Sequence, residues 1–214
     1  MTQNILELTV VRHGETDWNL TRRIQGQIDV PLNATGVAQA RAVASTLRAT
    51  TFQGIVSSDL MRAQQTAQPN QNGRLPIILE ASLRERQLGV LEGLLVSEAK
   101  VKAKDDLKAF LDKSYITTPE GAETMDAFSQ RVLSALTTIY CRFNKGNILI
   151  TTHGGVIDVL WRLAQKDTVR GNEKSKIGNG SIHQFIYNHQ TRNIALKSFN
   201  QTSHLNHVTA LVDL

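Results

Sequence analysis

Residues 5–16 have the sequence ILELTVVRHGET, in which an apolar, β-branched run ends at an arginine, a histidine and a glycine. A nearly continuous apolar run of this kind is typical of a strand buried on both faces. Such strands belong to parallel sheets that helices cover on both sides. The run therefore predicts a central strand with Arg12 and His13 at its carboxyl end, where the active sites of these sheets form.

A second segment repeats this order of residues, and it is the only repeated pattern in the sequence. Residues 147–155, NILITTHGG, form another apolar run that ends at His153 and Gly154 and leads into an apolar helix from Val156 to Leu163. Because parallel strands end at the same edge of a sheet, we expect His13 and His153 to converge.

The rest of the chain alternates predicted strands and helices. Thr35 and Asp59 are the expected N-caps of two helices, the first with Val37, Ala40, Ala44 and Leu47 on its buried face. The other predicted elements are strands at Ile55–Ser57 and Pro76–Leu79, helices over about Val96–Leu111 and Thr124–Phe143, and an antiparallel pair, Ser181–Tyr187 and Ile194–Phe199. This alternation predicts one domain over residues 1–214, a three-layer α/β/α sandwich with a mostly parallel central sheet.

Composition restricts the classes of function. Lys and Arg number 24 against 19 Asp and Glu, but they are scattered and aromatic residues make up only 5% of the chain, so we expect no nucleic-acid partner. No apolar run is long enough to span a membrane, and residues 1–11 lack the basic start of a signal peptide, so we expect a cytoplasmic protein. The single cysteine, Cys141, excludes an intramolecular disulfide and is expected to be a buried small hydrophobe.

Arginine and histidine side by side at a strand end suit the chemistry of phosphate. A histidine attacks phosphorus only when one ring nitrogen is unprotonated and the other is hydrogen-bonded, and a carbonyl at the Gly14 turn is a candidate partner. Arg12 is always charged, and its guanidinium group can bind two phosphate oxygens at once. His153, as a donor, would stabilise negative charge on the same phosphoryl group.

The chain resembles the histidine phosphatase superfamily, also called the phosphoglycerate mutase-like family. The motifs that carry the resemblance stand in the family's order between about residues 6 and 205: RHGET at 12–16 with Trp18-Asn19, QGQIDVPL at 25–32, SSDLMRA at 57–63 with QTA at 65–67, LRER at 83–86 with Gly89 and LEG at 91–93, THGGV at 152–156, and NGSI at 179–182. Arg-His-Gly alone is weakly specific, whereas the ordered set is very specific.

The resemblance implies a role for each matching residue. His13 would carry the phosphoryl group, and Glu85 would protonate the leaving oxygen and then activate water. The phosphate site would be formed by Arg12, Asn19, Gln25, Gly26, Arg62, His153 and Gly154. The resemblance implies no metal and no cofactor, a phosphoglycerate mutase-like fold, and a cap over the site formed by residues 94–118.

The function expected from the resemblance is metal-independent hydrolysis of a small phosphorylated metabolite. The first alternative is a bisphosphoglycerate-dependent phosphoglycerate mutase that uses the same His13. Such mutases usually have a longer insertion before residues 121–124 and a tyrosine-containing sequence where this chain has Arg86-Gln87-Leu88, which favours water as the acceptor. A non-catalytic phosphate-binding scaffold is a further alternative, and the sequence leaves both the substrate and a homodimer open.

Several weaker signals remain. Lys100, Lys104 and Lys108 form a stripe that is typical of a solvated helix face, with a role in steering substrate as the alternative. His204 and His207 have a spacing that a metal could use, but no other ligand group accompanies them. Asp158 is acidic where the family often has a basic residue, and we expect it to affect the fit of the substrate without touching the phosphoryl group.

Overall fold

The computed structural model describes residues 5–71, 73, 75–112, 117–166 and 176–208. The strands are β1 (Ile5–Arg12), β2 (Gly54–Ser57), β3 (Ile77–Leu79), β4 (Gly146–Thr152), β5 (Ile182–Asn188) and β6 (Asn193–Gln201). The helices are α1 (Asp17–Leu20), α2 (Ala34–Leu47), α3 (Met61–Ala67), α4 (Val96–Lys102), α5 (Lys104–Leu111), α6 (Met125–Phe143) and α7 (Gly154–Ala164). Of the expected cap segment, residues 113–116 lie outside the described residues.

The six strands form one sheet in the order β3-β2-β4-β1-β5-β6. The pairs β1–β4, β2–β4 and β2–β3 are parallel, while β5 is antiparallel to both β1 and β6. Five strands therefore run in one direction, which confirms the mostly parallel sheet, and β5 and β6 form the expected terminal antiparallel pair. The two strands with the repeated sequence pattern, β1 and β4, are neighbours at the centre of the sheet.

Helices cover both faces of the sheet because the strand residues alternate between two apolar clusters. Leu8 and Ile150 point to the cluster that contains buried residues of α6 and α7. Val11 and Leu149 belong to the opposite cluster, with Val43 of α2 and Ala67 of α3. The arrangement confirms the three-layer α/β/α sandwich. A third, separate cluster joins α4 and α5 to Ile24, Leu88 and Leu91.

Both predicted helix caps were wrong by one or two residues. Helix α2 is capped by Asn33, whose side chain accepts a hydrogen bond from the Gly36 amide at 2.9 Å, so Thr35 lies inside the first turn. Asp59 does not cap α3, because its carboxylate binds the Arg84 Nε at 2.7 Å. The Met61 amide of α3 instead donates to Asp29 Oδ1 at 2.7 Å. A distant carboxylate thus replaces the local cap.

The helices differed from the prediction in three respects, two of them in which face is buried and one in where a helix ends. On α2 the buried face contains Val43, and Val37 is 38% exposed. Cys141 is exposed, because it lies two residues after the buried Ile139 on α6 and so on the other side of the helix. The single helix expected over residues 96–111 is two helices, α4 and α5, which meet at Ala103. Within the described part of the chain, no helix is long and apolar enough to cross a membrane.

Candidate active site

The two predicted histidines lie side by side at the carboxyl end of the central strands. The register pairs Arg12 with Thr152, so the next residue of each strand is His13 and His153. The His13 amide donates to the Thr152 carbonyl at 2.9 Å, and the two imidazole centroids are 5.2 Å apart. The predicted convergence is therefore confirmed, and it follows from the parallel pairing of β1 and β4.

The ring of His13 is held for attack through its other nitrogen. Its Nδ1 lies 2.8 Å from the Gly14 carbonyl oxygen, which accepts only if Nδ1 is protonated, so the lone pair of the neutral ring is on Nε2. Burial holds the pKa of His13 well below its ordinary value, and the charges of Arg62 and Arg12 lower it further. His13 is 3% exposed and lines a cavity. These are the properties of a neutral nucleophile.

His153 has a different environment. Its Nε2 lies 2.8 Å from Ser58 Oγ, whereas its buried Nδ1 has no hydrogen-bond partner among the described residues. Burial, followed by the charge of Arg62 and the neighbouring His13, holds the pKa of His153 well below its ordinary value. The side chain is completely buried and is not one of the residues that line the cavity. An unpartnered nitrogen so close to His13 is a potential donor to an anion bound there.

Two buried guanidinium groups supply positive charge beside His13. Arg12 donates from Nη1 to the Ile177 carbonyl at 2.7 Å. Arg62, on α3, donates to the carbonyls of Ile28 and Gly26 at 2.9 and 2.8 Å. Each arginine is about 1% exposed, and both line the cavity. Because backbone carbonyls fix their orientation, their charge is preorganised toward an anion at His13.

Backbone amides hold the carboxyl group of Glu85 at the wall of the cavity. Its Oε2 accepts from the Gly155 amide in the first turn of α7 at 3.0 Å, and its Oε1 accepts from the Arg86 amide at 2.8 Å. A Cβ at position 155 would lie 2.2 Å from Glu85 Oε1, so glycine is required there for this approach. The carboxyl group thus has a defined position facing the same space as His13.

Three residues that support the site were not assigned a role from the sequence. Arg131 of α6 binds the carbonyls of Arg84 and Glu85 at 2.9 and 3.2 Å and so positions the loop that carries Glu85. Asn179 donates to the His13 carbonyl at 3.1 Å, and the Ser58 hydroxyl contacts the His153 ring. Ser58 and Asn179 lie within the family-like motifs, but Arg131 lies on a helix with no motif that marks it.

One cavity of about 410 Å³ connects these groups. Eight of the nine predicted site residues line it, namely Arg12, His13, Asn19, Gln25, Gly26, Arg62, Glu85 and Gly154; His153 is the ninth. Asn19 Oδ1 accepts from the Thr16 amide at 3.1 Å, which caps α1 and fixes the asparagine at the cavity wall. A phosphate-sized anion at His13 would therefore contact cationic and polar groups on several sides.

The residues behind the weaker sequence signals have different positions relative to the cavity. Lys100, Lys104 and Lys108 are exposed and do not line the cavity, so a steering role for them stays a prediction. His204 Nε2 lies 2.9 Å from the Gly180 carbonyl, and no group of three or more His, Cys, Asp or Glu in the described ranges is placed to hold a metal ion. Asp158 lines the cavity, and its influence on the fit of the substrate stays a prediction.

Comparison with known proteins agrees with the geometry. Phosphoglycerate mutase-like protein 4 of Arabidopsis thaliana is 38% identical over 183 residues, which cover 84% of this chain and 78% of that protein. A metal-independent phosphoserine phosphatase of the same plant is 32% identical over 209 residues, covering 95% and 85% of the two chains. The solved structure of YhfR from Bacillus stearothermophilus superposes with a TM-score of 0.87 at 28% identity over 94% of this chain and all of that one.

The two plant relatives are a phosphoglycerate mutase-like protein and a phosphoserine phosphatase, and this chain has phosphatase- or mutase-like activity as its general class. Residues 8–201, which include most of the central sheet and every predicted site residue, match a single family model. The chain belongs to the histidine phosphatase superfamily, branch 1.

Proposed function

We propose that the protein is a metal-independent phosphomonoesterase that acts through a phosphohistidine on His13, with Glu85 as the general acid and base. One observation carries the proposal: the neutral, Nδ1-anchored imidazole of His13 and the amide-held carboxyl of Glu85 face one cavity that also contains two buried arginines. Nucleophile, charge stabilisation and proton transfer are then available without a metal.

In the first step, Nε2 of His13 forms a bond to phosphorus as the bond from phosphorus to the ester oxygen breaks. Glu85, entering the step protonated, gives its proton to the departing oxygen, so the alcohol leaves neutral. Arg12 and Arg62 bind the equatorial oxygens throughout, and His153 donates from its buried nitrogen. The leaving oxygen must face Glu85 for the displacement to be in line.

In the second step, the carboxylate of Glu85 takes a proton from water, and the oxygen attacks phosphorus. The bond from phosphorus to Nε2 of His13 breaks, inorganic phosphate leaves, and Glu85 is again protonated. Two backbone amides hold its carboxyl group in place for both proton transfers, so no further base is needed.

The proposal is tested by a panel of phosphomonoesters assayed with a chelator present. We expect release of inorganic phosphate that the chelator does not affect, together with acid-labile labelling of His13 when a ³²P-labelled ester is quenched rapidly. Activity that is lost with the chelator and restored by a divalent ion would contradict metal independence. A protein that binds phosphate esters but is never labelled would be a phosphate-binding scaffold.

A phosphoglycerate mutase that retains the phosphoryl group on His13 is the second candidate. The similarity to phosphoglycerate mutase-like protein 4 favours it. Isomerisation of 3-phosphoglycerate, measured with and without bisphosphoglycerate as primer, separates the two candidates when it is compared with phosphate release in the same samples. We expect phosphate release to exceed isomerisation, and primer-dependent isomerisation as the faster reaction would make the protein a mutase.

A further inference from the structure

A further buried histidine, His183, lies next to the Arg12 side chain without reaching the cavity. It is completely buried on β5 and is paired with Val10, two residues before Arg12 on β1. Paired residues of a ladder point to the same face of a sheet, and so do alternate residues of one strand. The side chains of His183 and Arg12 therefore share a face of the sheet, while only Arg12 lines the cavity.

The ring of His183 is neutral, and both of its nitrogens are hydrogen-bonded. The Asn200 amide donates to Nδ1 at 3.2 Å, so Nδ1 carries no proton. The proton of the neutral ring is therefore on Nε2, which donates to Ser181 Oγ at 2.8 Å. Burial, followed by the charge of Arg12, lowers the pKa of His183 to about 3. The imidazole thus keeps this form, and these two contacts, at neutral pH.

The amide that His183 binds belongs to a bulge of β6. The register of β5 and β6 shifts at His183, where Phe199 and Asn200 together stand opposite it. Asn200 also has a φ of +48°, in the left-handed region. A bulge disrupts the ladder locally, and a buried amide without an acceptor costs free energy. The imidazole supplies the acceptor for this amide and so holds the bulge in place.

The side chain of Asn200 connects the bulge to the group that orients Arg12. Its Oδ1 accepts from the Gly178 amide at 3.1 Å, and the Ile177 carbonyl accepts from Arg12 Nη1 at 2.7 Å. That amide and that carbonyl belong to one planar peptide group. Because the group is rigid, fixing its N–H fixes the direction of its C=O. The position of Asn200 therefore controls the orientation of the guanidinium.

We propose that His183 is a positioning residue for Arg12: through the bulge at Asn200 it fixes the peptide group whose carbonyl orients the guanidinium. The inference rests on the proposed function only in placing a phosphoryl group against Arg12. An apolar residue could fill the space of the ring, but it could not accept from the Asn200 amide. The hydrogen bonds of the imidazole, in addition to its volume, should therefore matter for anion binding.

Binding of inorganic phosphate, measured by titration calorimetry, tests the inference without turnover. His183→Phe keeps a planar ring and removes both hydrogen bonds, so we expect Kd to rise about tenfold. In His183→Asn the amide oxygen can occupy the position of Nδ1, so most of the affinity should return. Phe185→Leu, at a buried position on the same face of β5, is the control and should leave Kd unchanged. An unchanged Kd in His183→Phe, or an equal rise in Phe185→Leu, would overturn the inference.

Asn200→Gly is a milder variant that decides the question even if His183→Phe does not fold. Glycine adopts a φ of +48° without strain, so the bulge and its amide remain and only the contact with Gly178 is lost. We expect Kd for phosphate to rise about five- to tenfold with little change in melting temperature. An unchanged Kd would show that the bulge does not control Arg12 and would overturn the inference.

A double-mutant cycle shows whether His183 acts through Arg12. Arg12→Lys keeps the positive charge but lacks the planar group that the Ile177 carbonyl orients. We expect His183→Phe to raise Kd for phosphate about tenfold in the wild-type background and less than about twofold in the Arg12→Lys background. An equal factor in both backgrounds would overturn the inference.

Steady-state kinetics on a phosphomonoester, run beside the binding measurements, separate this inference from the proposed function. If no ester is hydrolysed but phosphate binding follows the expected pattern, the proposed function fails and the role of His183 stands. If esters are hydrolysed and His183→Phe binds phosphate as tightly as the wild type, the role of His183 is wrong and the phosphatase proposal stands. A wild-type protein that binds no phosphate would overturn both.

Discussion

The ends of β1 and β4 have nearly the same sequence, an apolar strand followed by histidine and glycine, but the two histidines are held in different ways. His13 is tied through Nδ1 to the carbonyl of the next residue, and its ring reaches the cavity. His153 is tied through Nε2 to Ser58 of a neighbouring loop and is completely buried. The free edge of one ring is therefore Nε2, and that of the other is Nδ1.

The difference arises from the segment that comes after each strand. After His13 the chain enters a loop in which Gly14 packs against the backbone of Gly36. After His153 helix α7 begins at once, and its first turn binds Glu85. One strand end thus supplies the proposed nucleophile, and the other supplies a buried imidazole and an anchor for the proposed acid. Equivalent positions in a sheet do not imply equivalent roles.

Replacing each histidine in turn should show the difference between the two strand ends most clearly. His13→Ala should reduce phosphate release by at least about 10⁴-fold, because no group remains to form the covalent intermediate. His153→Ala should reduce kcat by about 10²- to 10³-fold, the usual effect of losing one donor to the transition state. Initial rates on one ester measure both, with thermal melting as the control for folding. Undiminished activity of the His13 variant would refute the assignment.

The glycines after the two histidines should separate activity from stability. Gly155→Ala would displace Glu85, a flexible side chain, so we expect kcat to fall about 10²-fold with little change in melting temperature. Gly14→Ala would place a Cβ 2.5 Å from the Gly36 carbonyl oxygen, a backbone contact, so we expect a loss of roughly 1–3 kcal/mol in the free energy of unfolding. Urea denaturation and steady-state kinetics on both variants test this prediction. A loss of stability in Gly155→Ala together with a loss of kcat alone in Gly14→Ala would contradict it.

Acid should destabilise the protein through its buried histidines. The pKa of His153 is lowered by folding, so between pH 6.5 and that lowered pKa the unfolded chain binds more protons, and stability falls as the pH falls. We expect the free energy of unfolding of the wild type to fall more steeply than that of His153→Asn, by up to about 1.4 kcal/mol per pH unit between pH 6.5 and 5. Urea denaturation at several pH values measures both slopes, and identical slopes would refute the prediction.

Ser58→Ala should have the smallest effect. The hydroxyl holds Nε2 of His153 at 2.8 Å, so its loss loosens the orientation of the ring without removing the ring. We expect kcat to fall about tenfold with KM nearly unchanged, corresponding to one hydrogen bond. If Ser58→Ala were as damaging as His153→Ala, the hydroxyl would itself belong to the anion site.

Much of the fold and of the site could be predicted because the signals are local. The nearly continuous apolar runs at β1 and β4 predicted central parallel strands buried on both faces, and the ends of these strands placed both histidines correctly. Local rules failed where a distant group competed with them: Asp59 pairs with Arg84 and does not cap α3, and Asp29 binds the amide in its place. Arg131 could not be found because nothing in its own helix marks its contacts with the Glu85 loop.

By itself, the sequence determined the order of elements, the layered sheet and the family, since hydrophobic period and ordered motifs are properties of the chain. The tertiary structure alone decided which nitrogen of each histidine is bonded, because that depends on a carbonyl at Gly14 in one case and on a hydroxyl at Ser58, 95 residues away, in the other. It also decided which residues line the cavity, because its walls meet only when segments far apart in the chain pack together.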